Sequence, residues 1–505
     1  MLTAITSATV LGLQAWLVQV EVDTSYGIGT HCIVGLPDAG VRESKERIET
    51  ALRNSGLAIS FHKRFTINLA PADLRKEGPA LDLPIALGML ANENIIAPER
   101  FAKVLIVGEL SLKGDIRSVR GVLPMALEAR AAGIKEFLVP AENAEEASVI
   151  SDLKVIPVRH IVEAVEYLSG KTEIEPHSPS IIETEWQGLG DFADVKGQYV
   201  AKRALEIAAA GGHNVLMIGS PGCGKTMLAK RFPSILPDLS YEESIEVSKI
   251  YSIAGLLRKG LVKQRQFRSP HHTISDVGIV GGGRIPKPGE ISLAHRGVLF
   301  MDEFPEFSRE VLEVLRQPLE NGEVTITRAM ISLTYPARFI LIAAMNPCTC
   351  GYAMDPKKQC TCSKQQVHNY WRRLSGPILD RIDLLVDVPS LLPDELSHKA
   401  PGELSADIRT RVLAARAIQA KRYAQRPEVL TNAGLCPRDM KQYCALDSEA
   451  QGLLKSAVER LGLSARAYDR VLKVARTIAD LDNADMLSAS HIAEALQYRR
   501  AAHEV

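Results

Sequence analysis

Charge of one sign is missing from this sequence: 60 Lys and Arg are balanced by 60 Asp and Glu across 505 residues. A whole-molecule basic field is thereby excluded, and any nucleic-acid surface has to be a local patch. Aromatic residues are scarce at 5%, which argues against a protein built around base-stacking platforms. No apolar run reaches the ~20 residues that cross a bilayer. The stretch from Met1 to Asp23 lacks the basic start and small-residue cleavage site of a signal peptide, and its β-branched residues read as strands. A cytoplasmic chain with no membrane partner is expected. Eight cysteines are too few for a disulfide scaffold of this size. Four of them cluster in one short stretch, which in a reducing compartment favours a metal. Apolar residues make up 46%, enough for real cores and too many for a mostly disordered chain.

Three blocks emerge, in line with about 150 residues per domain. Residues 1–172 alternate strand-like runs (Val18 to Val22, Arg64 to Leu69, Val104 to Val107, Phe137 to Pro140) with helical ones (Val41 to Asn54, Leu123 to Ala132). Residues 173–186 are rich in Pro, Ser and Glu and read as a linker. Residues 187–393 show the strand–helix alternation of a parallel sheet. Residues 394–505 are rich in Ala, Leu and Arg at helical spacing and form a helical block. The expected fold class is α/β throughout the first three quarters of the chain.

The strongest motif is Gly219-Ser220-Pro221-Gly222-Cys223-Gly224-Lys225-Thr226, a complete P-loop between the apolar run Asn214 to Ile218 and a helix-favouring segment. Its glycines let backbone N–H groups turn inward to cradle phosphates. Lys225 can reach the β/γ-phosphates of ATP, and Thr226 can ligate Mg²⁺. The run Gly297 to Met301 ends in Asp302 and Glu303, which can hold the Mg²⁺ shell and activate a water. A third apolar run, Phe339 to Met345, ends in Asn346, placed to touch the γ-phosphate or the water. Arg381 and Arg466 follow; cations near a transferring phosphoryl group lower its barrier.

Strand–P-loop, Asp-Glu, Asn and two separated Arg residues together resemble an AAA+ ATPase. Asp191 to Gln198, Ala204 to Asn214, Phe267 to Ser275 and Pro288 to His295 resemble its magnesium-chelatase-like branch. With residues 1–172 included, the chain is similar to the ComM/YifB family. That resemblance implies that Gly197 and Gln198 flank the adenine and that Lys225, Thr226, Asp302 and Glu303 are the Walker residues. It also implies that Asn346 is sensor 1, Arg466 is sensor 2 in a helical lid, and Arg381 is an arginine finger given to the next subunit of a homo-hexamer. The activity implied is an ATP-driven DNA motor, a branch-migration helicase on single-stranded or branched DNA in recombination or uptake of transforming DNA, with recombination proteins as possible partners. A chelatase-like ATPase that remodels a protein or metal-insertion complex is the alternative.

Gly108 to Leu123 and Lys76 to Ala80 resemble the proteolytic domain of Lon. The position of the nucleophilic Ser is Ala80 and that of the general-base Lys is Leu123, so a Ser–Lys dyad is absent and assembly is the expected role. Cys348, Cys350, Cys360 and Cys362 form two CxC pairs that can close a tetrahedral Zn²⁺ site; free thiols or an iron–sulfur centre are the alternatives. Lys357, Lys358, Lys364, Arg372 and Arg373 flank them, as a nucleic-acid contact or as a solvated basic face. Between Leu256 and Lys287, Arg258, Lys259, Lys263, Arg265, Arg268, Arg284 and Lys287 stand against Asp276, net +6. This stretch resembles a pore insert, and the hairpin-like Glu323 to Ser332 a second one; such cations would grip phosphates without reading bases. His271 and His272 are expected to pack or hydrogen-bond rather than ligate a metal.

Overall fold

The computed structural model describes the chain apart from Met1 and residues 28–30, 58, 60–62, 77, 180–189, 258–259, 284–285, 329–330, 356, 391–401, 427 and 500–505. Glu77, most of the expected linker, Arg258, Lys259, Arg284, the turn of the second hairpin and both ends of the helical block therefore lie outside the described residues. The chain divides into two compact units, Met1–Glu183 with Tyr241–Val262, and Thr184–Ser240 with Lys263–Val505.

The first unit is built on a seven-stranded sheet. Its spatial order is His31–Val34, Lys63–Ala70, Gln14–Tyr26, Thr3–Leu11, Val104–Ile106, Glu136–Pro140 and Lys154–Val158. The pairs from Thr3–Leu11 to Gln14–Tyr26 to Lys63–Ala70 are antiparallel, and the remaining pairs are parallel. Alternate residues go to opposite faces. Val104, Ile106, Leu138, Ile156 and Val158 join one apolar cluster, and Leu105, Val107, Phe137, Val139 and Val155 another. Both faces are thus covered, as the apolar density of these short strands requires. Ala80 and Leu123 sit buried in the second cluster, with no hydroxyl or amine at either place.

Residues 241–262 depart from the block boundaries read in the sequence. The helix Tyr241–Ala254 packs with the helix Val122–Ala131 of the first unit. There Ser252 donates its hydroxyl to the buried Glu146, and Gly121 N–H donates to Ser252 O at 3.3 Å. Helical periodicity shows that a face is buried but not against which core, so the sequence could not assign this helix. The described part of the expected linker carries no helix or strand, and His177 in it lies 2.8 Å from Glu145.

The second unit holds a five-stranded, all-parallel sheet in the order Phe267–Arg268, Val298–Met301, Ile340–Met345, Val215–Ile218, Leu384–Asp387. Val215–Ile218 and Val298–Met301 are buried at every position, as expected of strands covered on both faces. Asn214 fixes the entrance to three strands. Its backbone C=O accepts from Leu384 N–H (3.0 Å), its side-chain oxygen from Leu341 N–H (2.9 Å), and its own N–H donates to Asp383 (3.0 Å). The helices Ser405–Arg422, Ser448–Leu461, Ala465–Leu481 and Ala489–Gln497 share one apolar core with this sheet, from Phe192 and Val215 through Ile408 and Val412 to Ile478 and Ile492.

Candidate nucleotide site

Strand order places three loops side by side, because Ile340–Met345 runs between Val298–Met301 and Val215–Ile218. In parallel α/β sheets ligands sit beyond the carboxyl ends of the strands. Here those ends carry Asp302 and Glu303, Asn346, and the P-loop.

The P-loop backbone turns through Gly222 (φ 79°) and Gly224 (φ 98°), conformations costly for any residue with a β-carbon. Gly219 is constrained differently: a β-carbon there would lie 2.2 Å from Val388 O. Gly224 caps the helix Lys225–Arg231 without a side-chain bond, leaving its first N–H groups for a ligand. Lys225 Nζ donates to Gly219 O (2.6 Å), Ser220 O (3.1 Å) and Asn346 Oδ1 (3.2 Å). Thr226 donates its hydroxyl to Asp302 Oδ2 at 2.7 Å, and Asp302 Oδ1 accepts from Glu303 N–H at 2.9 Å. Among the described residues these acceptors of the buried ammonium are neutral, a setting that an anionic ligand completes. A hydroxyl and a carboxylate in contact, both hard oxygen donors, fit Mg²⁺.

Glu303 sits in the left-handed region (φ 51°) with its side chain 57% exposed. His272 Nδ1 lies 3.2 Å from Glu303 Oε2. His272 also packs edge-on against Phe307, and His271 bonds Thr273 at 2.9 Å. His271 hydrogen-bonds and His272 packs, but the approach of His272 to Glu303 was not foreseen. Its signal is positional: His272 follows the strand Phe267–Arg268, neighbour of the strand that ends at Glu303.

Gly197 (φ 58°) and Gln198 (φ 55°) turn the chain into the helix Tyr199–Gly211. Gln198 donates to Cys223 O (3.1 Å) and Pro389 O (2.7 Å), which ties it to the P-loop. Its buried Oε1 has no partner among the described residues, an acceptor that a purine amino group would satisfy. Cys223 is buried inside the loop and close to Lys225 Nζ, at 3.7 Å.

Arg381 and Arg466 are not gathered to these loops. Arg381 donates to Glu320 and to Pro377 O (2.7 Å). Arg466 is 67% exposed and lies 3.9 Å from Asp380. Between them runs a buried polar network that the sequence did not reveal. Asp383 accepts from Arg470 (2.9 Å) and lies 3.5 Å from His213 Nδ1. His213 Nε2 in turn meets Thr477 Oγ1 at 2.7 Å, in the helix that begins next to Arg466. Burial alone would raise the Asp383 pKa, but the adjacent His213 ring and the Arg470 charge hold it well below the usual carboxylate range.

The four cysteines converge. Cys348 Sγ lies 3.3 Å from Cys350 Sγ and 3.7 Å from Cys360 Sγ, Cys350 and Cys360 are 3.5 Å apart, and all four sulfurs fall within 4.8 Å of one another. A tetrahedral zinc with Zn–S of about 2.3 Å sets its sulfurs about 3.8 Å apart, so the set fits. Backbone N–H groups of Tyr352 and Thr361 pull the Cys350 thiol down to about 5, whereas burial pushes Cys348 up to about 12 and Cys360 is also raised, so the case for a metal rests on the sulfur geometry. Around the loop, Arg373 pairs with Glu306 at 2.7 Å and Lys358 stacks over Tyr352.

The net +6 insert needs correction. Arg268 makes a two-pronged ion pair with Glu290, both contacts 2.7 Å, and Arg265 donates to Pro237 O and Arg296 O, each at 2.7 Å. These two cations hold the unit together instead of facing a substrate. Lys287 is exposed on the short ribbon formed with Gly281–Gly282, which lies beside Arg328 of the hairpin Glu323–Pro336.

Comparison with known proteins follows the same division. Residues 191–396 match the family described as magnesium chelatase, subunit ChlI, and residues 402–499 its C-terminal family. Residues 20–143 match a family described as subunit ChlI of Mg-chelatase. The chain is 44% identical over 502 residues to the uncharacterized protein YifB of Escherichia coli, covering 99% of this chain and 97% of YifB. It is 43% identical over 504 residues to competence protein ComM of Haemophilus influenzae, with the same coverage of each chain. A more distant likeness, 24% over 316 residues, is to the maternal DNA replication licensing factor mcm6 of Xenopus tropicalis, covering 59% of this chain and 34% of that one. With full-length identity above 40% and P-loop, Asp302 and Asn346 on adjacent strand ends, the chain belongs to the magnesium-chelatase-like ComM/YifB family of AAA+ ATPases.

Proposed function

We propose that this protein is a hexameric ATPase motor that moves on single-stranded or branched DNA and drives branch migration in recombination or in the integration of transforming DNA. The observation that carries the ATPase part is the convergence of Lys225, Thr226, Asp302 and Asn346 through bonds of 2.7 and 3.2 Å. Lys225 and the P-loop N–H groups bind the β/γ-phosphates, Thr226 and Asp302 hold Mg²⁺, and Gly197 and Gln198 flank the adenine. Mg²⁺ supplies charge neutralisation on the phosphates. Glu303, oriented by His272, takes the proton of the attacking water, and Asn346 positions that water or the γ-phosphate. In this reading Arg381 leaves Glu320 to serve the neighbouring subunit's nucleotide, and Arg466 reports the nucleotide to the helical lid. Zn²⁺ on Cys348, Cys350, Cys360 and Cys362 is structural.

Support for DNA as substrate comes from the competence name of one full-length relative and the replication name of a distant one. Lys287 and Arg328 are the described cations placed to grip a backbone. The test is the ATPase rate with no DNA, single strands, duplex and a four-way junction, for wild type and Glu303→Gln. Stimulation by DNA that disappears in the variant is expected. A Glu303-dependent rate indifferent to every DNA would overturn the DNA part. It would favour the second reading, remodelling of a protein or metal-insertion complex, which the chelatase family matches along both units support.

A further inference from the structure

The cysteine loop is more than a neighbour of the P-loop; it forms part of its wall. Gly351, between the two CxC pairs, has φ 86°, and a β-carbon on it would lie 2.7 Å from Pro221 Cδ and Cγ and 3.9 Å from Asn346 Cγ. Asp355 of the same loop accepts from Ser390 Oγ at 2.9 Å and hydrogen-bonds the Ser220 hydroxyl of the P-loop. Asn346, which accepts from Lys225, stands two residues before the fully buried Cys348. Trp371 Nε1 donates to Pro347 O at 3.0 Å, anchoring the loop's other flank. The loop from 348 to 362 carries no helix or strand of its own among its described residues; the meeting of its four sulfurs joins its two ends, and Asp355 braces its middle by accepting from Lys357 N–H and Lys358 N–H.

From this juxtaposition we infer that the Cys348, Cys350, Cys360, Cys362 centre is a zinc site whose occupancy sets the shape, and hence the affinity, of the nucleotide pocket. The inference rests on the nucleotide reading of the P-loop given above. With zinc bound, four thiolates hold Gly351 against Pro221 and Asp355 against Ser220, and Asn346 stays in reach of Lys225. Without zinc nothing bonds the four sulfurs to a common centre, and the loop loses that clasp. Ser220 and Pro221 then lose their backing, and the P-loop must be ordered anew by each nucleotide. Ordering that would have been present beforehand is charged against binding.

The experiment uses the full chain and measures two quantities: zinc per chain by atomic emission, and affinity for a fluorescent ATP analogue in excess Mg²⁺. Three samples are compared, namely wild type, wild type stripped by a zinc-selective chelator, and Gly351→Ala. The alanine variant keeps all four ligands and presses its β-carbon on Pro221. The expected result is about one zinc per chain in wild type and Gly351→Ala. Nucleotide binding should be about tenfold weaker after stripping, restored by added zinc, and several-fold weaker in Gly351→Ala. Wild type that neither carries nor takes up zinc would overturn the metal part. Bound zinc with nucleotide affinity unchanged by both stripping and Gly351→Ala would overturn the coupling and leave the ATPase reading intact. If stripping unfolds the unit by circular dichroism, the Gly351→Ala sample alone decides. Zinc-loaded wild type that binds no nucleotide would overturn both this inference and the proposed function.

Discussion

Lys225 and Lys76 are both buried, one in each unit, and both donate to backbone carbonyls. Around Lys76 no comparable set of polar groups is gathered among the described residues. Its ammonium meets Pro71 O, and burial lowers its pKa even though the nearby Asp73 carboxylate pulls the other way. Lys225 sits instead in a glycine-turned loop with Asn346 in contact and the Thr226–Asp302 pair one residue away. The same contrast separates the two sheets. In the first, Ala80 and Leu123 close the face with apolar atoms; in the second, the carboxyl ends of the strands carry donors and acids. Burial of a charge thus marks a site only where complementary groups converge on one absent ligand.

The two lysines should differ most under substitution. Lys225→Met is expected to lower ATP turnover about a thousandfold with an unchanged melting temperature. Lys76→Met should keep turnover and shift stability by about 1 kcal/mol or less, since a well-packed isostere replaces a buried ion; loss of ATPase there would end the distinction. Next comes Asp383→Ala, which strands Arg470 and His213 and should destabilise the second unit by about 3 kcal/mol in urea unfolding. Because the Asp383 pKa is held low, the stabilisation it lends is present above its ordinary pKa and lost as pH falls below it. An Asp383→Ala chain as stable as wild type would show that the network is solvated.

His272→Ala should lower kcat about tenfold with KM little changed, with His272→Gln partly restoring it. An unaltered kcat would reduce the contact with Glu303 to a bystander. The last test falls in the first unit. Burial raises Asp82 to about 6 despite its ion pair with Arg47 at 2.6 Å. A raised carboxyl pKa contributes stability that is fully present below the ordinary value and lost as pH rises through about 6. Melting curves from pH 4 to pH 7 should show this slope in wild type and not in Asp82→Asn.

Much of the second unit's site was legible because its chemistry is local in sequence. Gly219 to Thr226 is one contiguous turn, Asp302 and Asn346 each end an apolar run, and two CxC pairs stand nine residues apart. Contacts between distant segments were not legible. Charge counting cannot tell that Arg268 spends its guanidinium on Glu290, or that Asp383 is buried between His213 and Arg470. Nor can periodicity tell that Tyr241–Ala254 finds its partner in Val122–Ala131. The strands Val104–Ile106 and Glu136–Pro140, by contrast, were legible as short apolar runs between helical stretches.

That helix has a consequence for how the polypeptide is made and divided. Residues 241–262 belong to the first unit yet are translated after the P-loop of the second. The first unit therefore cannot finish its core while the ribosome is still upstream of Val262, and the second begins folding with its strands interrupted. A single cut in the region 180–189 would not yield two whole pieces: the N-terminal fragment would bare the face of Val122–Ala131 and leave Glu146 without Ser252. Anyone wishing to express the N-terminal unit alone must graft Tyr241–Val262 back onto it.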